Sequence, residues 1–333
     1  MRSVRDEQLI LQALLDAGED GHVSGMALAR MLGVSRVAVW QHLNKLREQG
    51  FDIISQHARG YRLGRAPSFL HPSLIDAHRR AAENAGRIHF FDTAGSTNDE
   101  AGRLLAGGEQ APLIVMARRQ SQGRGRLGRA WHSEVDGNLY ASFAFRPEVP
   151  PARMQTFTLW MGVNVCALVA SFCRVTPGLK WPNDLLFDGR KAGGMLTEAR
   201  MDADRIHDLV FGLGLNLRPP AGGWPDELAI RATSLAEQSA LPLDPNKFAA
   251  ALVGRVIDAY DRFIDGGFQN TFADLWHRFD VLKGRSVTLL QGGRELSGIA
   301  MGIDDEGSLI LRQGDGRTDR YRAGEVTFAR KQP

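Results

Sequence analysis

The chain has little cysteine, no long unbroken apolar run and no strong excess of either charge, and each shortage excludes something. Cys166 and Cys173 are the only cysteines in 333 residues, and they lie two helical turns apart in one apolar segment. That spacing holds their Cα atoms too far apart for a disulfide, and without a CxxC pair no cysteine-based metal site is expected. Both read as reduced core thiols. The longest mostly apolar stretch, Phe157 to Phe172, is interrupted by Asn164. It is shorter than the roughly 20 residues of a membrane span, so no membrane partner is expected. The first residues carry Asp6 and Glu7 and lack the apolar core and cleavage site of an export signal, which points to the cytoplasm. A net charge of +3 permits a nucleic-acid partner without arguing for one.

What is present is ordinary in amount and uneven in placement. Hydrophobic residues at 43% and charged residues at 24% exclude a disordered chain, and the length suits two or three domains. Residues 30 to 65 hold seven basic side chains against two acidic ones, a local excess of +5 that exceeds the charge of the whole chain. Leu9, Ile10, Ala13 and Leu14 recur at helical spacing. Ser24 is placed to cap a second helix through Met31, Gly33 supplies a turn, and Ser35 is placed to cap a third. In that third helix Val39, Leu43 and Leu46 form the inward face, leaving Ser35, Arg36, Gln41, Asn44 and Lys45 outward. The pattern predicts a helix-turn-helix. Phe51 to Ser55 and Tyr61 to Leu63 follow as two strands with Arg59 near their turn, which makes the hairpin a wing.

Pro67 and Pro72 predict a linker. The block that follows, to about residue 278, mixes strands (Ile88 to Phe91, Leu113 to Ala117, Ala141 to Phe145, Leu209 to Leu217) with helices (Asp99 to Leu105, Gln155 to Phe172, Pro245 to Ile264), an α/β pattern. From Ser286 to Ala329, five short strands separated by glycine turns predict a small β-barrel.

Four segments carry chemistry. Arg118 to Arg129 alternates five arginines with three glycines, which gives backbone freedom and guanidinium groups for phosphate oxygens. It is neither a P-loop nor a dinucleotide fingerprint. By charge alone it equally suits a solvated or RNA-binding loop. Lys180-Trp181-Pro182-Asn183-Asp184 sets a lysine beside an amide and a carboxylate, and reads either as a ligand site or as an edge strand ending in a turn. Gly95 to Glu100 offers a helix N-terminus to an anion, although ordinary capping explains it as well. Gly212-Leu213-Gly214-Leu215-Asn216 is an apolar strand whose glycines mark close backbone approach or a bulge.

In this order and spacing, and with Gly137 to Tyr140 and Lys191 to Gly194, these segments resemble biotin protein ligases. The resemblance covers most of the chain. With the winged helix in front it is to the bifunctional form, a ligase that also represses biotin-synthesis genes. It implies a multidomain α+β chain: a winged helix-turn-helix over 1–65, a mixed α/β ligase domain related to class II aminoacyl-tRNA synthetases and lipoate ligases over 66–278, and an SH3-like barrel over 279–333.

The resemblance also implies two chemical steps. Biotin's carboxylate attacks the α-phosphate of ATP, with Mg²⁺, to give biotinyl-adenylate. A lysine of a biotin carboxyl carrier protein then takes the biotin. Lys180 matches the family's cation at the reacting atoms, and Arg124 and Arg126 match loop arginines that close over the adenylate. Ser96, Thr97, Asn98, Gln120, Gly123, Gly194 and Gly214 match the biotin side, beside Arg124 and Lys180. Arg129, Trp131, Asn183, Lys191 and Asn216 match the adenylate side, and Asp184 a helper of Mg²⁺. For operator DNA the expected residues are Ser35, Arg36, Gln41, Lys45 and Arg59, with a homodimer forming when adenylate is bound. Leu127 stands where some members have another arginine, and Ala229 to Ser234 aligns too poorly for any role. Three rivals remain: a lipoate ligase, a biotin-sensing transcription factor with reduced ligase activity, and a winged helix that contacts protein.

Overall fold

The computed structural model describes residues 2–79, 86–132, 137–202 and 204–329. They fall into two compact units, Met1–Ala85 with Asp244–Val253, and Gly86–Leu243 with Gly254–Pro333.

In the first unit α1 (Arg2–Asp16), α2 (Gly25–Leu32) and α3 (Arg36–Glu48) precede a hairpin of β1 (Ile53–Gln56) and β2 (Gly60–Leu63). The caps are the expected ones. Ser24 accepts from Ala27 N at 3.0 Å and Ser35 from Ala38 N at 3.2 Å, contacts that typically stabilise a helix by about 1 kcal/mol each. Gly33 takes the left-handed conformation, φ 66°, that ends α2 and starts the turn. Val39, Leu43 and Leu46 meet Ile10, Leu11, Leu14 and Leu28 in one core. The stretch expected as a linker folds in part: Pro72–Arg79 forms α4, and its Leu74 and Ala77 join that core. Two prolines set the ends of this short segment, but the apolar residues after Pro72 recur at helical spacing, and burial decided the outcome. The compact unit is therefore larger than residues 1–65.

The second unit is built on a seven-stranded sheet of order β3-β4-β5-β9-β8-β7-β6. Its strands are β3 (Arg87–Ala94), β4 (Leu113–Gln120), β5 (Leu139–Phe145), β6 (Gly178–Lys180), β7 (Asp184–Phe187), β8 (Arg190–Met201) and β9 (Ile206–Leu215). Only β3 and β4 run parallel, joined by the crossover helix α5 (Thr97–Ala106); the remaining pairs are antiparallel. Helix α6 (Phe157–Cys173) supplies core, and its Trp160 Nε1 donates to Ala259 O at 2.7 Å. With the turn before it, the segment Pro151–Cys173 is long and apolar enough to cross a membrane, longer than the sequence reading allowed. Most of it is buried within the protein, as in the core helix of a globular domain. Both cysteines are free and buried, and burial pushes both thiols up.

After the helices α7 (Asp226–Ala229), α8 (Leu235–Gln238), α9 (Pro245–Ile264) and α10 (Gln269–Phe279) comes a five-stranded antiparallel barrel sheet. Its strands are β10 (Ser286–Gln291), β11 (Arg294–Ile303), β12 (Leu309–Arg312), β13 (Thr318–Tyr321) and β14 (Glu325–Phe328). The barrel is anchored by Trp181, whose Nε1 donates to Gly307 O at 3.0 Å.

Candidate active site

One cavity of about 160 Å³ gathers most of the expected residues. At one wall the N-terminus of α5 brings Ser96, Thr97 and Asn98, all nearly fully buried. Ser96 occupies the cap position yet its side chain makes no capping hydrogen bond, so the helix does not use its hydroxyl. Gln120, at the end of β4, accepts from Thr97 N at 2.7 Å and from Thr97 Oγ1 at 3.0 Å. Ser142 on β5 stands 2.8 Å from Thr97 Oγ1 and 2.6 Å from Asn98 Oδ1. Asn98 Nδ2 donates to Glu198 Oε2 at 2.7 Å. Apart from the Glu198 carboxylate behind Asn98, these groups are uncharged and held by one another, which suits a polar, uncharged ligand head.

The arginine–glycine loop folds back on itself: Gly125 N donates to Arg129 O at 2.7 Å and Trp131 N to Gly123 O at 2.9 Å. Gly123 thus anchors the loop and does not line the cavity. At the tip, Leu127 is 74% exposed and left-handed at φ 58°, a conformation that costs a non-glycine residue about 1 kcal/mol or more. Arg124 Nη2 reaches Asp99 Oδ1 at 2.6 Å and Glu198 at 3.3 Å. Arg129 forms a two-pronged pair with Glu325 at the start of β14. Arg126 Nη1 donates to Gly324 O at 3.3 Å, and burial lowers its pKa against the opposing pull of Asp184 and Glu325.

The Lys180 to Asp184 run forms a hairpin turn at the sheet edge, and it also lines the cavity. Strand β6 forms the sheet edge and ends at Lys180; β7 starts at Asp184. Asn183 staples the turn to β8, donating from Nδ2 to Met195 O at 2.5 Å. Lys180 Nζ lies 2.9 Å from Asp184 Oδ2 and Lys191 Nζ 2.6 Å from Oδ1. Burial alone would raise the Asp184 carboxyl, but the two ammonium groups outweigh it and hold the carboxyl below its usual value. Each Asp184 oxygen meets one ammonium group, and among the described residues no cluster of three or more Asp, Glu, His or Cys could hold a metal. These residues do not build a magnesium cage.

Trp131 fills space that the sequence reading gave to a ligand. A Cβ on Gly214 would meet its indole at 2.8 Å and one on Gly194 at 2.9 Å. Their lack of a side chain is what seats the ring, and Lys191 Nζ lies 5.0 Å from the ring centre, within cation–π reach. The hydroxyl of Tyr140, bonded by Asn138 and Trp131, is pushed up to about 12 by burial. Asn216 does not line the cavity. Its amide donates to Thr233 O at 3.0 Å and holds the strand carrying Lys191. Ser142, Asp99, Glu198 and Glu325 went unread in the sequence, because each acts only through a partner brought close by folding.

In the helix-turn-helix unit, Arg36, Gln41 and Arg59 are exposed as expected. Ser35 spends its hydroxyl on the cap. Lys45 is partly exposed, but its Nζ lies 2.6 Å from Glu7, which is itself only 3% exposed, so its charge is balanced within the fold.

Three family models match the chain. The biotin/lipoate A/B protein ligase family covers residues 93–216, an HTH domain 7–62, and the biotin protein ligase C-terminal domain 283–328. The bifunctional ligase/repressor BirA of Bacillus spizizenii is 30% identical over 97% of this chain and 98% of its own length. That of Escherichia coli is 31% identical over 96% of both. The structure of a biotin protein ligase from Aquifex aeolicus in complex with biotin and ATP is 26% identical, with a TM-score of 0.61 over 74% of this chain and 99% of that one.

Proposed function

This chain belongs to the biotin/lipoate A/B protein ligase family in its bifunctional ligase/repressor form, and on that premise we propose how its residues act. It is an ATP-dependent biotin protein ligase that carries a helix-turn-helix repressor domain. The observation that carries the assignment of roles is the convergence of Ser96–Asn98, the arginine loop and Lys180 from three distant segments on one cavity.

Ser96, Thr97, Asn98 and Gln120 take the polar head of biotin. Lys180 stands between two like-charged reactants, the biotin carboxylate and the α-phosphate, and lowers the cost of bringing them together. Arg124 takes phosphate oxygens in place of Asp99 and Glu198, Arg129 in place of Glu325, and Arg126 in place of the Gly324 carbonyl. The exchange at Arg124 is cheap, because an ion pair this exposed is worth about 0–1 kcal/mol. Loop closure then shields the mixed anhydride from water until the carrier lysine arrives. Magnesium belongs in this scheme to the nucleotide's phosphates, with no step placed on a protein-built site.

The finer partners are a biotin carboxyl carrier protein as acceptor and a homodimer formed when adenylate is bound, acting in the cytoplasm on operator DNA. One recognition helix reads one half-site, so two copies are needed for tight, specific binding. Linkage then requires dimerisation to tighten adenylate binding by the same factor, typically about 1–3 kcal/mol. The test is direct. The purified protein is given biotin, ATP and Mg²⁺ with lipoate as competitor, and biotinyl-adenylate, sedimentation and DNA binding are measured together. Biotinyl-adenylate with adenylate-dependent self-association is expected; preference for lipoate overturns the acid, and unchanged sedimentation overturns the switch.

A further inference from the structure

The recognition helix exposes two apolar side chains where a solvated helix should be polar. Val37 is 65% exposed and Trp40 54% exposed, both on the face of α3 opposite the buried Val39, Leu43 and Leu46. They sit one turn apart, with Arg36 and Gln41 exposed beside them and Asn44 half-buried one turn further along the helix. Arg30 and Arg59 are also exposed in the same unit, within the segment of +5 charge. Arg36 is thus an exposed cation beside the apolar pair, and the segment that carries the pair is cationic as a whole.

A large exposed apolar pair gains only where it is covered, and the cations beside it select a polyanion as the cover. Phosphates cannot satisfy an indole. In the major groove the one apolar group displayed by the bases is the C5-methyl of thymine. We propose that Val37 and Trp40 form the thymine-reading element of this helix-turn-helix, packing against C5-methyl groups while Arg36 and Gln41 meet the backbone and neighbouring base edges. The proposal rests on the reading of this domain as DNA-binding and adds the base chemistry it selects.

The test uses the full-length protein with biotin and ATP. Duplexes with a randomised core are selected for binding, and the enriched sequence is remade with deoxyuridine at each thymine in turn, which removes the methyl and leaves the pairing. Loss of about fourfold in affinity is expected at each contacted thymine, the value of one buried methyl-sized group. Trp40→Ala and Val37→Ala should bind thymine and deoxyuridine duplexes alike at the positions they contact, with the salt slope unchanged because no phosphate contact is lost. Absence of any enriched sequence would overturn the DNA-binding reading itself. Enrichment with equal affinity for thymine and deoxyuridine at every position would overturn this proposal alone. So would a change in self-association of Trp40→Ala without DNA, which would make the patch a protein contact.

Discussion

The arginines of the helix-turn-helix and the cations of the cavity hold their charge in different ways, although Lys45 on the DNA side is paired with Glu7. In the helix-turn-helix unit Arg36 and Arg59 are exposed and pair with no carboxylate among the described residues. In the cavity, Lys180 and Lys191 share Asp184, Arg124 reaches Asp99 and Glu198, and Arg129 grips Glu325. Solvated arginines suit a ligand whose phosphates recur along a rod, since approximate placement suffices and counterion release supplies the affinity. A cation that stabilises one bond-forming step must already stand where charge will develop. Without substrate, a counter-charge helps to keep a long side chain there, and in the cavity Asp184, Asp99, Glu198 and Glu325 supply it.

The largest test of this contrast removes a placed cation. Lys180→Ala should lower adenylate formation by about a hundredfold or more, as loss of one positioned electrostatic group typically does. ATP–pyrophosphate exchange measures it, and a near-normal rate would take Lys180 out of the first step. A smaller loss is expected for Arg126→Gly. Synthesis should survive in part, but adenylate should escape roughly ten- to a hundredfold faster, the equivalent of about 1.5–3 kcal/mol for hydrogen bonds from a charged group. Labelling of bystander lysines reads the leak, and labelling confined to the carrier would refute the clamp.

The DNA side predicts a different response. Arg36→Ala should weaken binding similarly on all sequences and lower the slope of log affinity against log salt by about 1. Lys45→Ala should change that slope less, because Glu7 already balances the ammonium group. Equal slopes for the two variants would erase the distinction between solvated and neutralised cations on which the comparison rests.

Local signals made the helix-turn-helix readable. Ser24, Gly33 and Ser35 each fix one helix end by its own side chain or its lack of one, and Val39, Leu43 and Leu46 fix the inward face. The barrel strands are likewise set off by turn glycines, and β10 to β14 all fall within the expected span from Ser286 to Ala329. The site was legible where several chemical groups lie within a few residues, as in Lys180 to Asp184. It was illegible where a residue acts across the fold. Glu325 gives no local sign that it will hold Arg129, almost two hundred residues earlier in the chain. Gly214 signals close approach in the sequence, but nothing there says that the approaching group is Trp131, which also meets Gly194. For the edge hairpin of β6 and β7 the sequence offers, beside a ligand site, only one edge strand ending in a turn, because strands of three and four residues carry too few alternations to register.

The smallest expected effect sharpens the comparison most, because it reads a counter-charge directly. Asp184 is pushed up by burial and pulled down further by Lys191 and Lys180, so it should titrate below its ordinary value of 3.8. Its folded pKa being the lower one, the unfolded chain binds more protons in the acid range, and the contribution to stability rises with pH there. That contribution is complete above the unfolded value and is lost as pH falls through the folded one, so nothing changes near neutrality. Carboxyl carbon NMR of Asp184 against pH measures the midpoint. In Lys191→Ala one ammonium is gone while burial remains, and the midpoint should move upward, with stability in mild acid falling beside it. A wild-type midpoint above 3.8, or one that ignores the loss of Lys191, would mean that the acid is not held by the lysines. The cavity cations would then need another explanation for their fixed positions.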